Sequence, residues 1–487
     1  MQDANPSHLD LQATAKEIMQ QYGFEPDFLA PVATQLANLG QQPQVSPSRD
    51  VRDMRNLLWS SIDNDTSRDL DQIEVVESAP IGDVKVMVGI ADVDTFVPKA
   101  TPIDQHAARE TTTVYTGIRN FPMLPEQLST GVTSLLENQD RLSVVIEFVV
   151  DADGNLKSSD VYRALVQNKA QLQYNSVGAW LEGTAAPPPK VAASAQLQDQ
   201  LKLQSDVAQK LKSKRFQNGA LNLQTDEVHP LVLNEQVVDV VKQQKNHATE
   251  LIEDFMVAAN GVVARLLQNV SSLRRIVRTP KRWDRIVQLA ASKGEKLPPQ
   301  PDSKALNDLL LRRKAADPDH FADLSLTVIK LIGPGEYVLE RAGETAPGHF
   351  GLAVQDYTHS TAPNRRFADV VTQRLIKAML AGQQNPYSDD ELTAVASNCT
   401  QKEDAARKVE REMSKRLAAV AMQRRVGETF DAIVTGVTDH GTFVRVLQPH
   451  VEGLLAQGAQ GLDVGDKLKA KLIRTDVSKG YIDFARA

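Results

Sequence analysis

The sequence has almost no cysteine, since Cys399 is the only one among 487 residues. An internal disulfide framework and a cysteine-rich zinc site are therefore excluded, and a reducing cytoplasm is the expected setting. The sequence also lacks an apolar run long enough to cross a membrane, and its first residues lack the basic start and apolar stretch of a signal peptide. With 41% hydrophobic and 24% charged residues, the composition is that of a soluble globular protein, and we expect no membrane contact.

An excess of positive charge is missing as well, because the formal net charge is −7. Net charge describes solubility and non-specific association rather than the potential inside one groove. Basic residues do cluster locally, most densely between 407 and 425, and a basic internal channel is compatible with an acidic exterior. Composition therefore neither supports nor excludes a nucleic-acid partner.

What the sequence does contain is a short segment crowded with carboxylates between two apolar runs. Asp63, Asp65, Asp69 and Asp71 lie in this segment, and the flanking pattern predicts a strand, a polar loop and a second strand. Like charges this close repel one another unless a cation neutralises them. Oxygen-only ligands suit a hard ion, Mg²⁺ or Mn²⁺, whose coordination is completed by substrate phosphate. A solvated acidic loop or a calcium loop is the alternative at this point.

Several segments resemble, in the same order along the chain, motifs of the RNB nuclease domain of the ribonuclease II family. Asp63, Asp69, Asp71 and Gln72 are similar to the family's D-x5-D-x-D-D pattern, with glutamine in place of the last aspartate. The other similar segments are Tyr115 with 121–125 (FPMLP), 252–260 (IEDFMVAAN), 349–353 (HFGLA), 357–359 (YTH) and 363–369 (PNRRFAD). Motifs combined in the family's order are far more specific than any one of them.

The resemblance implies a role for each residue of the acidic segment. Asp63, Asp69 and Asp71 would hold divalent metal ions, and Asp71 would also orient or activate the attacking water. The amide oxygen of Gln72 can still ligate a hard cation, but it contributes no negative charge. Either one metal ion is bound weakly, or Asp65 substitutes for the missing carboxylate.

The resemblance also assigns roles to residues that are far from this segment in sequence. Arg365 would stabilise the transition state and Arg366 would contact a backbone phosphate, since a guanidinium fork matches phosphate oxygens. Helix-cap ion pairs are the alternative for both. Tyr115 would stack on the 3′-terminal base, and Glu410 would lie near the substrate channel. Without the resemblance, Tyr115 would be a core residue and Glu410 a partner in a helix ion pair.

The pattern along the chain predicts an α+β protein with three units, at 1–48, 49–425 and 426–487. The first is helical and is interpreted either as a helix-turn-helix-like module or as a cap on the second; 41–48 is interpreted as a linker. The second has strands first, including 84–90 and 144–150, and helices afterwards, including 250–268 and 367–380. The third resembles an OB-fold RNA-binding domain, in which Phe443 would stack on a base.

These features together favour a Mg²⁺-dependent 3′→5′ exoribonuclease of the ribonuclease II type, with Mn²⁺ as the alternative ion. It would degrade single-stranded RNA to nucleoside 5′-monophosphates as a monomer, and it is expected to be a short family member without N-terminal cold-shock domains. The alternative is an RNA-binding protein on a nuclease-derived scaffold, with feeble catalysis because of Gln72. A regulator that binds specific DNA sequences through the N-terminal helices is least favoured, because these lack a basic recognition face.

Overall fold

The computed structural model describes residues 10–39, 50–225, 227–233, 236–243, 245–318 and 320–487. For 227–233, 236–239 and 241–243 it describes the backbone alone. The predicted linker at 41–48 lies outside the described residues. In the ranges that are described, no helix is both long and apolar enough to span a bilayer.

A seven-stranded sheet forms the centre of the chain. In chain order, the first strands are β1 (Arg52–Asp53), β2 (Ser60–Asp63), β3 (Gln72–Ser78), β4 (Val84–Ala91), β5 (Val114–Tyr115), β6 (Asn120–Phe121), β7 (Asp140–Val150), β8 (Leu156–Gln167) and β9 (Ala170–Gln173). Apart from the β5–β6 hairpin, they form one sheet in the order β1-β8-β7-β4-β3-β2-β9. The predicted strand, polar loop and strand around the acidic segment are confirmed as β2, its following loop and β3.

The middle of this sheet is buried on both faces, because its strands are nearly continuous runs of valine and isoleucine. The strand predicted at 84–90 is confirmed as β4, and the one at 144–150 lies within the longer β7. Phe148 of β7 packs edge to face against Phe255, with ring centroids 6.4 Å apart. This core holds β3, whose first residue follows the acidic loop, against β4.

Among the described residues, two α-helices precede the sheet in the chain, one lies between its strands, and the others follow it. They are α1 (Leu11–Gln21), α2 (Ala30–Asn38), α3 (Pro102–Glu110), α4 (Tyr174–Leu181), α5 (Pro189–Ala192), α6 (Ala195–Gln217), α7 (His247–Leu266), α8 (Trp283–Ser292), α9 (Ser303–Ala316), α10 (Phe321–Ile332), α11 (Phe367–Leu380) and α12 (Asp389–Gln423). The helices predicted at 250–268 and 367–380 are confirmed as α7 and α11. A capping box between Asn246 and Thr249 fixes the start of α7.

Two antiparallel pairs of strands lie outside the main sheet. They are β10 (Glu227–Leu233) with β11 (Gln236–Gln243), and β12 (Ser272–Ile276) with β13 (Glu336–Glu340). Between β12 and β13 the chain forms α8, α9 and α10, whose apolar faces share a small core around Trp283 and Phe321.

The two N-terminal helices pack onto the rest of the chain. Ile18 and Met19 of α1 are buried together with Val409 and Met413 of α12. The Nζ of Lys402, also on α12, donates to a carbonyl in the turn after α1 at 2.7 Å. This is the arrangement of a helical cap, and a nucleic-acid-binding role for the two helices stays a prediction.

The C-terminal part of the chain is a small closed β-barrel. Its strands are β14 (Thr429–Thr438), β15 (Gly441–Val446), β16 (Val451–Gln457), β17 (Lys467–Asp476) and β18 (Tyr481–Arg486), in the order β14-β15-β16-β18-β17. Val444 and Val446 of β15 point into the barrel and Phe443 points outward, as alternation along a strand requires. The predicted α+β fold, with N-terminal helices and a C-terminal OB-like barrel, is confirmed.

Candidate active site at the acidic loop

The acidic loop is residues 64–71, between the end of β2 and the start of β3, and its second half is tightly anchored. Leu70 is buried; its N–H donates to Ser134 Oγ at 3.0 Å, and its carbonyl accepts from the Leu135 N–H at 3.0 Å. The carbonyl of Asp71 accepts from the Ala91 N–H, also at 3.0 Å. These hydrogen bonds therefore fix the backbone at Asp71, which carries the last carboxylate of the loop.

Asp71 is the most deeply placed acid of the loop, with 2% of its surface exposed. Its Oδ1 accepts from the Asn364 N–H at 2.8 Å, and its Oδ2 lies 3.3 Å from Arg365 Nε. Burial raises the pKa of Asp71 to about 7, although the Arg365 charge pulls it down. The carboxylate is positioned by two neighbours, and its charge is only partly compensated.

Asp69 is electrostatically coupled to both Asp63 and Asp71. Asp63 Oδ1 accepts from the Asn64 N–H at 2.7 Å and from Ser67 Oγ at 2.9 Å. Burial raises the pKa of Asp63, and the charge of Asp69 raises it further. The charge of Asp69 likewise raises the pKa of Asp71. The charge of Asp69 thus acts on both of the other aspartates of the predicted motif, and their joint role as metal ligands stays a prediction.

Backbone pairing brings Tyr115 and Arg365 to the same place, although 250 residues separate them. The Thr113 N–H donates to the Arg365 carbonyl at 3.0 Å, and the Phe367 N–H donates to the Thr111 carbonyl at 2.8 Å. This short extended contact precedes α11 on one side and the β5–β6 hairpin on the other. The Tyr115 and Arg365 side chains therefore both project next to the acidic loop.

Tyr115 and Arg365 are open to a ligand and at the same time anchored. The Tyr115 hydroxyl donates to Asp69 Oδ2 at 3.2 Å, and the Tyr115 N–H donates to Glu410 Oε1 at 3.0 Å. Tyr115 is 38% exposed and the Arg365 side chain is 49% exposed. The core-tyrosine interpretation is thus not what the structure shows. Glu410 holds the backbone of the aromatic residue from α12.

Arg366 is placed differently from Arg365. Its Nε and Nη2 donate to the two carboxylate oxygens of Asp369 at 2.9 and 2.7 Å, in the first turn of α11. Asp369 is fully buried, so this bidentate pair ties the start of the helix to the loop before it. The helix ion pair considered from the sequence is found at Arg366, and its phosphate contact stays a prediction.

The two candidates for the fourth acidic position lie in different surroundings. Gln72 is buried at the start of β3, opposite Ile90 of β4. Asp65 is exposed on the outer part of the acidic loop. Phe443 is not part of this cluster, because it lies on the barrel, where it pairs with Leu454 of β16.

Two residues that the sequence motifs did not single out belong to the surroundings of the loop. Burial raises the pKa of Tyr174, and the charges of Asp63 and Glu74 raise it further, whereas Arg365 lowers it. Tyr174 begins α4 and Glu74 lies within β3. In the sequence, Glu74 is a charged residue inside the apolar run of β3, and this pattern could have pointed to it. No comparable pattern points to Tyr174.

The sequence of this chain matches two known family models. The RNB domain model matches residues 51–382, and the RNase II-type exonuclease C-terminal S1 domain model matches residues 428–487. The chain belongs to the RNB-domain family.

Among its relatives, Ribonuclease R of Thermotoga maritima is 30% identical over 475 residues, which are 89% of this chain and 64% of that protein. The chain therefore spans less than two thirds of that relative. Mycoplasma genitalium RNase R in complex with ribose-methylated single-stranded RNA shares the fold, with TM-score 0.87 and 23% identity over 98% of this chain and 78% of that one. Yeast Ssd1, a pseudonuclease, shares it with TM-score 0.69 and 16% identity, over 91% and 55% of the two chains.

Nucleases of this family depend on divalent metal ions. Among the described residues, no cage of three or more acidic, histidine or cysteine side chains that could hold a metal ion is found. Mg²⁺ rarely uses such a cage, because one or two carboxylates and the substrate phosphates usually hold it. The raised pKa values of Asp63 and Asp71 show that their charges need compensation. The donor set therefore fits a hard divalent cation.

Proposed function

We propose that this chain is a Mg²⁺-dependent 3′→5′ exoribonuclease that hydrolyses single-stranded RNA to nucleoside 5′-monophosphates. The observation that carries the proposal is the convergence at Asp71, which is buried, held by the Asn364 N–H and 3.3 Å from Arg365 Nε. Asp69 and Tyr115 lie beside this pair and are linked to each other by a hydrogen bond. Acid, guanidinium and exposed aromatic ring together match a phosphate next to a terminal base.

Phosphodiester hydrolysis needs an activated water, neutralisation of the charge that develops on phosphorus, and help for the departing oxyanion. Asp63, Asp69 and Asp71 would hold Mg²⁺, or Mn²⁺ in its place, with the amide oxygen of Gln72 as a neutral ligand. The bound ion would supply a water of lowered pKa and positive charge beside the phosphate. Asp71 would orient the attacking water, because two contacts fix its carboxylate.

Arg365 and Tyr115 act on the substrate directly. Half of the Arg365 side chain is exposed, so its guanidinium can donate to non-bridging phosphate oxygens and stabilise the charge of the transition state. Tyr115 stacks on the 3′-terminal base, a contact worth about 1–3 kcal/mol for any base. Glu410 accepts the hydrogen bond from the Tyr115 N–H and so positions Tyr115 where the RNA channel is proposed, as an RNA-binding residue of the site.

The remaining residues and units have auxiliary roles in this proposal. Phe443, on the outer face of the barrel, stacks on a base further along the strand. Arg366, whose side chain stays partly exposed beside Asp369, contacts a backbone phosphate. The units are 1–48 as a cap, 49–425 as the catalytic unit and 426–487 as an RNA-binding barrel, acting as a monomer on cytoplasmic RNA.

The test is incubation of single-stranded RNA, labelled at the 5′ or the 3′ end, with protein and either Mg²⁺ or EDTA. The 3′ label should be released at once as a mononucleotide, and the 5′ label should shorten gradually, both only with Mg²⁺. Internal fragments from the first time point would contradict an exonuclease. A matched single-stranded DNA should resist, because contacts to the 2′-OH select ribose.

A second candidate function is RNA binding without efficient cleavage. Two observations favour it: Gln72 brings no charge to the acidic site, and yeast Ssd1, described as a pseudonuclease, shares this fold. In the same experiment, this protein would retain RNA on a filter with or without EDTA and would leave both labels intact.

A further inference from the structure

A carboxyl group lies inside the sheet, just beyond the acidic loop. Glu74 is fully buried in β3, opposite Ser60 of β2 and Val88 of β4. Neither oxygen of its carboxyl group has a hydrogen-bond partner among the described residues. The Ser60 hydroxyl, also fully buried, has none either. A buried carboxyl without partners destabilises a fold, so its presence in an otherwise apolar strand needs an explanation.

Glu74 belongs to the surroundings of the acidic loop by its position on the strand. Residues two apart on a strand share one face, so Glu74 lies on the same face of β3 as Gln72. Burial raises the pKa of Glu74 well above its usual range, and Asp63 is the charged neighbour that raises it further. Tyr174 responds to the charges of both Glu74 and Asp63. The geometric basis is the pairing of Glu74 with Ser60, which lies three residues before Asp63 on β2.

We propose that Glu74 is a further cation-binding residue of this site, which supplies the carboxylate that Gln72 does not. The inference rests on the proposed function, since it concerns the same divalent cation. Gln72 offers a neutral amide oxygen, and Asp65 is exposed, where water already solvates its charge. Glu74, by contrast, has no hydrogen-bond partner among the described residues. A bound cation would be the partner that the two buried Glu74 oxygens lack among the described residues.

The test is Mn²⁺ binding, followed by electron paramagnetic resonance, with a 2′-O-methylated RNA oligonucleotide present to supply phosphate oxygens. Glu74→Gln keeps the size of the side chain and should weaken Mn²⁺ binding by about 10–100-fold. Glu77→Gln is the matched control, because Glu77 lies on the same strand and pairs with Lys85 Nζ at 2.7 Å near the surface. It should bind Mn²⁺ like the wild type.

Thermal unfolding without metal separates binding from folding. Glu74→Gln and Glu74→Leu both remove a buried ionisable group, so neither should melt below the wild type, and both should lose Mn²⁺ affinity. Wild-type Mn²⁺ affinity in either variant would overturn the inference. The readout does not depend on hydrolysis: a wild type that binds Mn²⁺ through Glu74 but leaves RNA intact refutes only the proposed function.

Discussion

Two buried aspartates at the same end of the sheet differ in how far neighbouring cations compensate their charge. Asp71 precedes β3 and Asp92 follows β4, and the hydrogen bond between the Ala91 N–H and the Asp71 carbonyl joins the two segments. Asp92 contacts Lys377 Nζ at 2.9 Å and Arg163 Nη2 at 3.1 Å. Burial alone would raise the pKa of Asp92, but these two cations outweigh it and hold the pKa below its usual value.

Asp71 is equally buried, but it has one half-exposed arginine and the repulsion of Asp69, so its pKa is raised to about 7. Burial alone therefore does not determine whether a carboxylate stabilises the fold or serves the active site. The Asp92 network has its counter-ions within the protein and stabilises the fold. At the acidic loop, Arg365 compensates the charge of Asp71 only in part, and a bound cation would bring the remaining positive charge.

The largest expected effect is on catalysis at the acidic loop. Asp71→Asn keeps the shape of the side chain and removes its charge, so hydrolysis should fall by about 10⁴-fold or more. RNA binding, measured by fluorescence anisotropy, should stay equal or tighten slightly because repulsion of phosphate decreases. Asp160→Asn, at an exposed ion pair with Arg52, is the control and should leave both unchanged. A rate within tenfold of wild type for Asp71→Asn would remove Asp71 from the chemistry.

Replacement of Arg365 should mainly affect the rate, whereas replacement of Arg366 should mainly affect stability. Arg365→Lys should lower the single-turnover rate by about 10²–10³-fold with little change in melting temperature, because half of the side chain is exposed. Arg366→Lys breaks a bidentate pair with buried Asp369 and should lower the melting temperature more than the rate. The reverse pattern would exchange the proposed roles.

The Asp92 network should matter to stability rather than to catalysis. Asp92→Asn leaves Lys377 and Arg163 without their shared partner and should lower the free energy of unfolding by about 3–5 kcal/mol. Because the pKa of Asp92 is lowered by folding, its contribution is full above about pH 4 and is lost as the pH falls through the folded value.

Urea unfolding at several pH values measures this effect. The difference between wild type and Asp92→Asn should shrink in acid, and the rate per folded molecule should be that of the wild type. Asp160→Asn, at the surface, should change stability by less than about 0.5 kcal/mol. An equal loss for the two variants would show that the buried network has no special weight.

The smallest expected effect concerns how the acidic site makes up for Gln72. Titration of Mg²⁺ against initial rate should give a raised half-maximal concentration for Glu74→Gln, because one carboxylate is lost. Gln72→Asp added to Glu74→Gln should bring it back toward wild type, whereas Asp65→Asn alone should change it less than about twofold, since Asp65 is exposed. If Asp65→Asn required as much extra Mg²⁺ as Glu74→Gln, Asp65 would be the substitute.

Local sequence patterns predicted the elements of this fold well, because periodicity and burial are local properties. The strand at 84–90, the helix at 367–380 and the C-terminal barrel all follow from such patterns or from motif resemblance. The spacing of the acidic motif also predicted that Asp63, Asp69 and Asp71 lie together. Strand register and long-range pairing were not readable in this way.

The features that the sequence did not show depend on that register and packing. Glu74 lies next to the site because β3 pairs with β2 at Ser60, and no motif marks the position. Arg366 pairs with Asp369, which lies three residues later in the chain, and this pairing leaves Arg365 to face the ligand. The seating of α1 on α12 follows from contacts between residues almost 400 positions apart.

The most direct test of the central claim is the identity of the product. Wild-type protein and Asp71→Asn would each be incubated with single-stranded RNA and Mg²⁺, and the products resolved by mass spectrometry. The account predicts nucleoside 5′-monophosphates from the wild type and intact, bound RNA from Asp71→Asn. Intact RNA from both, or the same products from both, would contradict it.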